Sequence, residues 1–159
     1  MMTGLLFSSC RHDTQQAVGR DEPFADSSLG IQVADTITYE VQIRNPDPAD
    51  LWKSQCLQGL DRQAFVDNIF RMIYEGRADA YHFETREKIT PGGLKTLESE
   101  NGFSRDHIGM VQFTEAWYIN PRQHQITKKV LYLVLGYDYY TSEGELFGHK
   151  PLFKVVLSQ

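Results

Sequence analysis

Val111-Gln-Phe-Thr-Glu-Ala-Trp-Tyr-Ile119, a polar Asn120-Pro-Arg-Gln123, and Ile126-Thr-Lys-Lys-Val-Leu-Tyr-Leu-Val-Leu-Gly-Tyr137 read as two long strands joined by a turn. In the first strand, period two puts Val111, Phe113, Trp117 and Ile119 on one face and Gln112, Thr114 and Tyr118 on the other. The second strand is rich in β-branched and aromatic residues, which suit a pleated, half-buried surface. Asn120 precedes a proline and is pushed out of the helical region, while Pro121 presets the dihedral of a turn. A β-hairpin at the centre of a small sheet follows.

Outward from the hairpin, Asp61 to Glu75 carries the strongest helical signal. Asp61 is a good N-cap, Phe65, Ile69, Met72 and Ile73 form an apolar stripe widened by Val66 and Phe70, and Gly76 supplies the stop. Ile31 to Arg44 alternates Ile37, Tyr39, Val41 and Ile43 with polar residues, as a strand with one wet face does, and Asn45-Pro-Asp-Pro48 ends it. Asp50 to Gln58 suggests a short helix carrying Leu51, Trp52 and Leu57. Ala78 to Glu84 reads as a short extended piece. Thr90 opens a second short helix through Leu94 and Leu97, and Ser104 caps a brief turn over Arg105-Asp-His107. A last strand over 150–157 has Pro151 at its start, where a missing N–H is tolerated. The expected fold class is α+β: a small antiparallel sheet, with the hairpin 110–119/126–139 and the strand 150–157, packed against one main helix, 61–75. Residues 31–159 form a single domain in this reading.

The chain has 159 residues, 41% hydrophobic and 12% aromatic, enough for a buried core. A net charge of -5 argues against a nucleic-acid partner, which calls for a basic stripe that Arg122, Lys128 and Lys129 do not make. No apolar run approaches the roughly 18 residues of a membrane-spanning helix.

Cys10 closes Leu5-Leu-Phe-Ser-Ser-Cys10, an apolar run followed by small residues, and so resembles the lipidation signal of a bacterial lipoprotein. No Lys or Arg precedes that run, and it is shorter than the roughly 7–15 residues of a signal core. A start site further upstream would reconcile the two. The alternative is an ordinary thiol in an N-terminal segment. In the lipoprotein reading, residues 1–10 are the end of a signal with Cys10 as the lipidated residue. The polar residues 11–30 then tether the domain to a membrane, in the periplasm and at the outer membrane. Cys56, flanked by Leu51, Trp52 and Leu57, is expected to be a small buried hydrophobe.

Catalytic signatures are absent from the sequence. The histidines at 12, 82, 107, 124 and 149 stand singly, with no paired spacing on a helix and no Cys-x-x-Cys. Only convergence in space of His82, His107 and His149 would build a metal site. No cofactor motif is present. Glu115 falls by alternation on the buried face with Phe113 and Trp117. An unpaired buried carboxylate is costly, so three readings stand: an acid in a pocket, an ion pair with Lys128 or Lys129 across the hairpin, or a strand edge reaching solvent. Tyr137, Tyr139 and Tyr140 could line a groove or cover the sheet's edge.

Glu115-Ala-Trp-Tyr-Ile-Asn-Pro121 with the strand 126–137 resembles the gliding-motility and type IX secretion protein N family (GldN/PorN). The later Lys150-Pro-Leu-Phe-Lys-Val-Val-Leu157, the helix with Gly76, and Ala80-Tyr81 resemble elements of the same family, over about residues 50–157. The resemblance is that of a short, divergent relative. It implies a periplasmic, non-enzymatic protein of Bacteroidetes that assembles with a lipoprotein partner.

The expected function is therefore a non-enzymatic cell-envelope scaffold or assembly protein, anchored by lipid and bound to protein partners of secretion or gliding. Trp117, Tyr118, Tyr137, Tyr139 and Tyr140 are the expected partner contacts. The rival expectation is a periplasmic module for a small molecule or glycan, with Glu115 and Trp117 in a pocket. A small-molecule ligand is the less favoured of the two.

Overall fold

A computed structural model describes residues 29–100 and 102–157. The signal-like residues 1–10 with Cys10, and the tether up to residue 28, lie outside the described residues.

The fold is α+β. Six strands, β1 (Ile31–Gln42), β2 (Ala78–His82), β3 (Lys88–Ile89), β4 (Ile108–Asn120), β5 (Gln125–Tyr140) and β6 (Leu146–Leu157), form one sheet in the order β1-β4-β5-β6-β2-β3. Every neighbouring pair is antiparallel. Three helices accompany it: α1 (Leu51–Cys56), α2 (Arg62–Tyr74) and α3 (Pro91–Ser99), with a 3-10 turn at Arg105–His107. The sheet is thus larger than the hairpin plus the strand 150–157, since β1, β2 and β3 join it, and two short helices accompany the main one. None of the described helices is long and apolar enough to cross a membrane.

The hairpin forms because both strands alternate and Asn120 closes the turn. Its side-chain Oδ1 accepts from the backbone N–H of Arg122 and of Gln123, each at 3.2 Å. Such an Asx cap is the local chemistry that favours asparagine in turns. Helix α2 starts where the Asp61 side chain accepts from Ala64 N at 2.9 Å. It stops at Gly76, whose φ of +69° favours glycine. There Gly76 N reaches Ile73 O and Arg77 N reaches Met72 O, the paired bonds of a Schellman stop.

The core lies between α2, α3 and the middle of the sheet. Val66, Ile69, Phe70 and Ile73 of α2 and Leu94 of α3 are buried against Val111, Leu133, Leu135, Phe153, Val155, Ala78 and Ala80. Phe70 and Phe153 meet edge to face at 5.6 Å. The buried stripe of α2 is centred on Val66 and Phe70, while Phe65 and Met72 lie at its margin.

Two expectations need correction here. Strand β6 begins at Leu146, so Pro151 sits inside it. The ladder slips between Leu135 and Gly136, whose partners are Phe153 and Pro151. That irregularity is a place where a strand dispenses with a donor. Cys56 is exposed, and Leu51 and Trp52 are 78% and 74% exposed. Helix α1 is six residues long and is tied down by polar contacts, Asn45 Nδ2 reaching Asp50 O and Ser54 Oγ, so its apolar residues are left outward.

Candidate protein-docking surface

The helices cover only part of one face of the sheet. The hairpin continues beyond them, and the same face there carries Phe113, Glu115, Trp117 and Ile119 on β4. Register places Ile31 opposite Ile119 and Ile119 opposite Ile126. Three isoleucines therefore stand in one row across β1, β4 and β5, at 63%, 36% and 66% exposure. Beta-branched side chains are stiff, so such a row is a rigid apolar surface. Isolated exposed apolar residues are ordinary, and a contiguous apolar row makes this end of the hairpin a candidate docking surface.

Behind this row lies Glu115, 5% exposed. Its carboxylate accepts from the Tyr39 hydroxyl at 2.8 Å and from the Trp117 indole N–H at 3.0 Å. Burial, followed by the bond to Glu115, raises the pKa of Tyr39 above its ordinary value. The Lys128 ammonium lies 4.5 Å from the Trp117 ring centre and 5.8 Å from that of Tyr39. Lys128 therefore joins the cluster through the aromatic faces, in place of the expected direct ion pair. The arrangement found is none of the three readings of Glu115: it is a buried acid held by two aromatic donors, with both oxygens engaged.

Tyr39 was not singled out in the sequence as a partner of Glu115. Its own strand alternation, with Ile37 and Val41, was the available signal, since the register pairs Tyr39 with Phe113 and Ile37 with Glu115.

The five aromatic residues expected to form one contact edge separate in space. Trp117 is half-buried over Glu115, and Tyr118 is buried. Tyr137 is an internal strut: it stacks on Phe103 at 5.6 Å, accepts from Ser104 N, donates to Gly102 O and meets His107 Nδ1 at 2.9 Å. Tyr140 is held by Asp138 and Arg44. Tyr139 alone of the five is exposed, beside exposed Phe147 at 5.9 Å, with Lys150 4.0 Å above its ring. Trp117 and Tyr139 lie on the order of 30 Å apart along the hairpin, at roughly 3.3 Å per residue. A β-strand's length, which a local reading ignores, separates them.

A second polar cluster ties the far end of the sheet. Asp138, buried on β5, receives Arg44 at 2.9 Å and the Tyr140 hydroxyl at 3.1 Å. His149 Nδ1 lies 2.9 Å from the other oxygen without the alignment of a hydrogen bond. Burial, then the Asp138 carboxylate, raises the Tyr140 pKa. Arg44 follows β1, so this cluster clamps β1 to β5 across β4. His107 and His149 have these separate neighbours, and no group of three metal-binding side chains converges among the described residues.

No protein-family model matches the chain, and no curated protein matches it.

Proposed function

We propose that this protein is a non-enzymatic scaffold that docks a protein partner in the cell envelope through the free end of its hairpin. The observation carrying the proposal is the Ile31–Ile119–Ile126 row beside Trp117, a stiff apolar surface continuous with the face the helices bury. Its support is built in: Glu115 fixes Tyr39 and Trp117 from below, so the surface is ordered before any partner arrives. Preorganisation of this kind lowers the ordering cost of association. An aromatic residue beside apolar anchors fits the composition of interface centres. Envelope placement follows the reading of Cys10, and a secretion or gliding component as partner follows the resemblance of the hairpin.

The test is affinity capture from Bacteroidetes envelope membranes with the full chain and with an Ile31→Ser, Ile126→Ser variant. Both positions are exposed, so the fold should tolerate the change. A defined envelope component recovered by the parent and lost with the variant is the expected result. Equal recovery by both, or no envelope component with either, refutes the proposal.

A further inference from the structure

Register carries one row across the whole sheet: Glu40, Gln112, Val134, Lys154, Tyr81 and Lys88 are successive partners on β1, β4, β5, β6, β2 and β3. These residues alternate with the ones that face the helices, so they belong to the opposite face. There the turn between β2 and β3 flanks a concavity of about 770 Å³. Its walls include Tyr81, Phe83 and Tyr132, its floor is Val134, and Gln112, Arg86 and Lys154 provide polar ends. That volume is in the range of pockets that hold small organic molecules, roughly 300–1,000 Å³.

Charge decides what could fill it. Elsewhere Arg44, Arg62, Arg77, Lys88 and Arg105 each have a carboxylate partner. Among the described residues, no carboxylate is paired with Lys154 or Arg86. Lys154 instead lies 3.8 Å from the Tyr132 ring centre, which keeps its ammonium over the pocket wall. Against these two cations the pocket wall has one carboxylate, Glu84. A concave site with excess positive charge is unusual in a chain of net charge -5. Clefts of one sign with low-dielectric walls concentrate ions of the other sign. Arg86 has a φ of +63°, the left-handed position of the β2–β3 turn that His82 N to Glu87 O and Arg86 N to His82 O close, and this turn sets Arg86 at the pocket wall.

We infer that this concave face is a binding site for a small organic carboxylate with a flat apolar body. The carboxylate meets Lys154 and Arg86, the body lies between Tyr81, Phe83 and Tyr132, and the Gln112 amide oxygen, its NH₂ already giving to Glu40 at 3.2 Å, is left to accept from a further polar group. Tyrosine and phenylalanine faces suit a ring, and cations suit the acid. The site is on the face opposite the isoleucine row and stands whether or not that row docks a protein.

The test is a protein-observed NMR screen of small aromatic carboxylates, each paired with its neutral amide. Acids are expected to shift the amide signals of residues 81–86, 112, 132–134 and 154, and their amides to bind at least about tenfold more weakly. Lys154→Met, which keeps the stem on Tyr132, and Arg86→Gln should each weaken the acids about tenfold. Lys95→Met on α3 should leave binding unchanged. Shifts that spread over the surface, acids no tighter than amides, or full affinity in both pocket variants would overturn the inference. Unchanged spectra outside the pocket certify that the variants are folded.

Discussion

Gly109 and Asp138 are in contact through an absence: a Cβ at Gly109 would stand 2.0 Å from Asp138 Oδ1. Asp138 can hold Arg44 only because β4 has no side chain there. Gly109→Ala is expected to push the carboxylate off its partners and to cost about 3 kcal/mol, the combined scale of overpacking and a broken buried pair. Gly136→Ala is the comparison. It would meet Met110 Cε at 2.7 Å, a flexible end that can move, and Met110 Cβ and His149 Cβ at 3.1 and 3.3 Å, which must give by only a few tenths of an ångström, so it is expected to cost about 1–2 kcal/mol. Urea unfolding of the two variants measures the difference, and equal costs would remove the clamp.

The Glu115 cluster makes a second prediction. Indole N–H only donates, whereas a tyrosine hydroxyl can donate or accept. In Glu115→Gln the amide oxygen can keep Trp117 and the amide NH₂ can give to Tyr39, so the loss is about 1 kcal/mol. Glu115→Leu strands both donors and is expected to lose about 2–3 kcal/mol. It should also change the Trp117 emission. Chemical unfolding with tryptophan fluorescence reads both, and a Leu variant as stable as the parent would show that neither bond matters.

How much of this was legible follows from where each signal resides. The hairpin and α2 repeat a local period, so Val111 to Tyr137 and Phe65 to Ile73 declare their faces without any knowledge of partners. The Asp61 cap and the Gly76 stop are equally local. The distant partners of Glu115 and Asp138 are not, because Tyr39 comes from strand β1 and Arg44 from just after it, far away in sequence. Gly109 reads as a weak strand residue until Asp138 is placed above it. Helix α1 misled for another reason: apolar residues at helical spacing predict burial only if a face is present to receive them, and Leu51 and Trp52 have none among the described residues. The concave pocket had no sequence signal at all, since it joins four separate segments by register.

Cys56 gives a simple chemical check on α1. An exposed thiol with no disulfide partner should react with maleimide in the native protein, without denaturant. Mass spectrometry of the labelled peptide reports it, and circular dichroism should be unchanged by the label. A Cys56 that reacts only after unfolding would mean that α1 packs inward after all.

The last prediction concerns alkaline pH. The Tyr74 hydroxyl donates to Glu98, which Arg105 also engages at 2.6 Å while holding Asp67 at 2.8 Å. Burial and the Glu98 bond push the Tyr74 pKa from 10.0 up to about 12, against the opposing pull of Arg105. Between pH 10 and about 12 the unfolded chain releases this proton while the folded chain retains it. A folded pKa above the unfolded one means stability is whole below pH 10 and falls as pH rises through that window. Tyr39 and Tyr140 are raised as well and add losses of the same sign. Unfolding midpoints measured from pH 9 to 12 should therefore decline. Tyr74→Phe should start less stable at pH 9, having left Glu98 one donor short, and should decline less steeply than the parent. Phenolate absorbance supplies an independent reading: Tyr74→Phe should lose part of the parent's absorbance change at the high end of this pH window. A Tyr74→Phe profile parallel to that of the parent would show that the proton on Tyr74 is not coupled to folding.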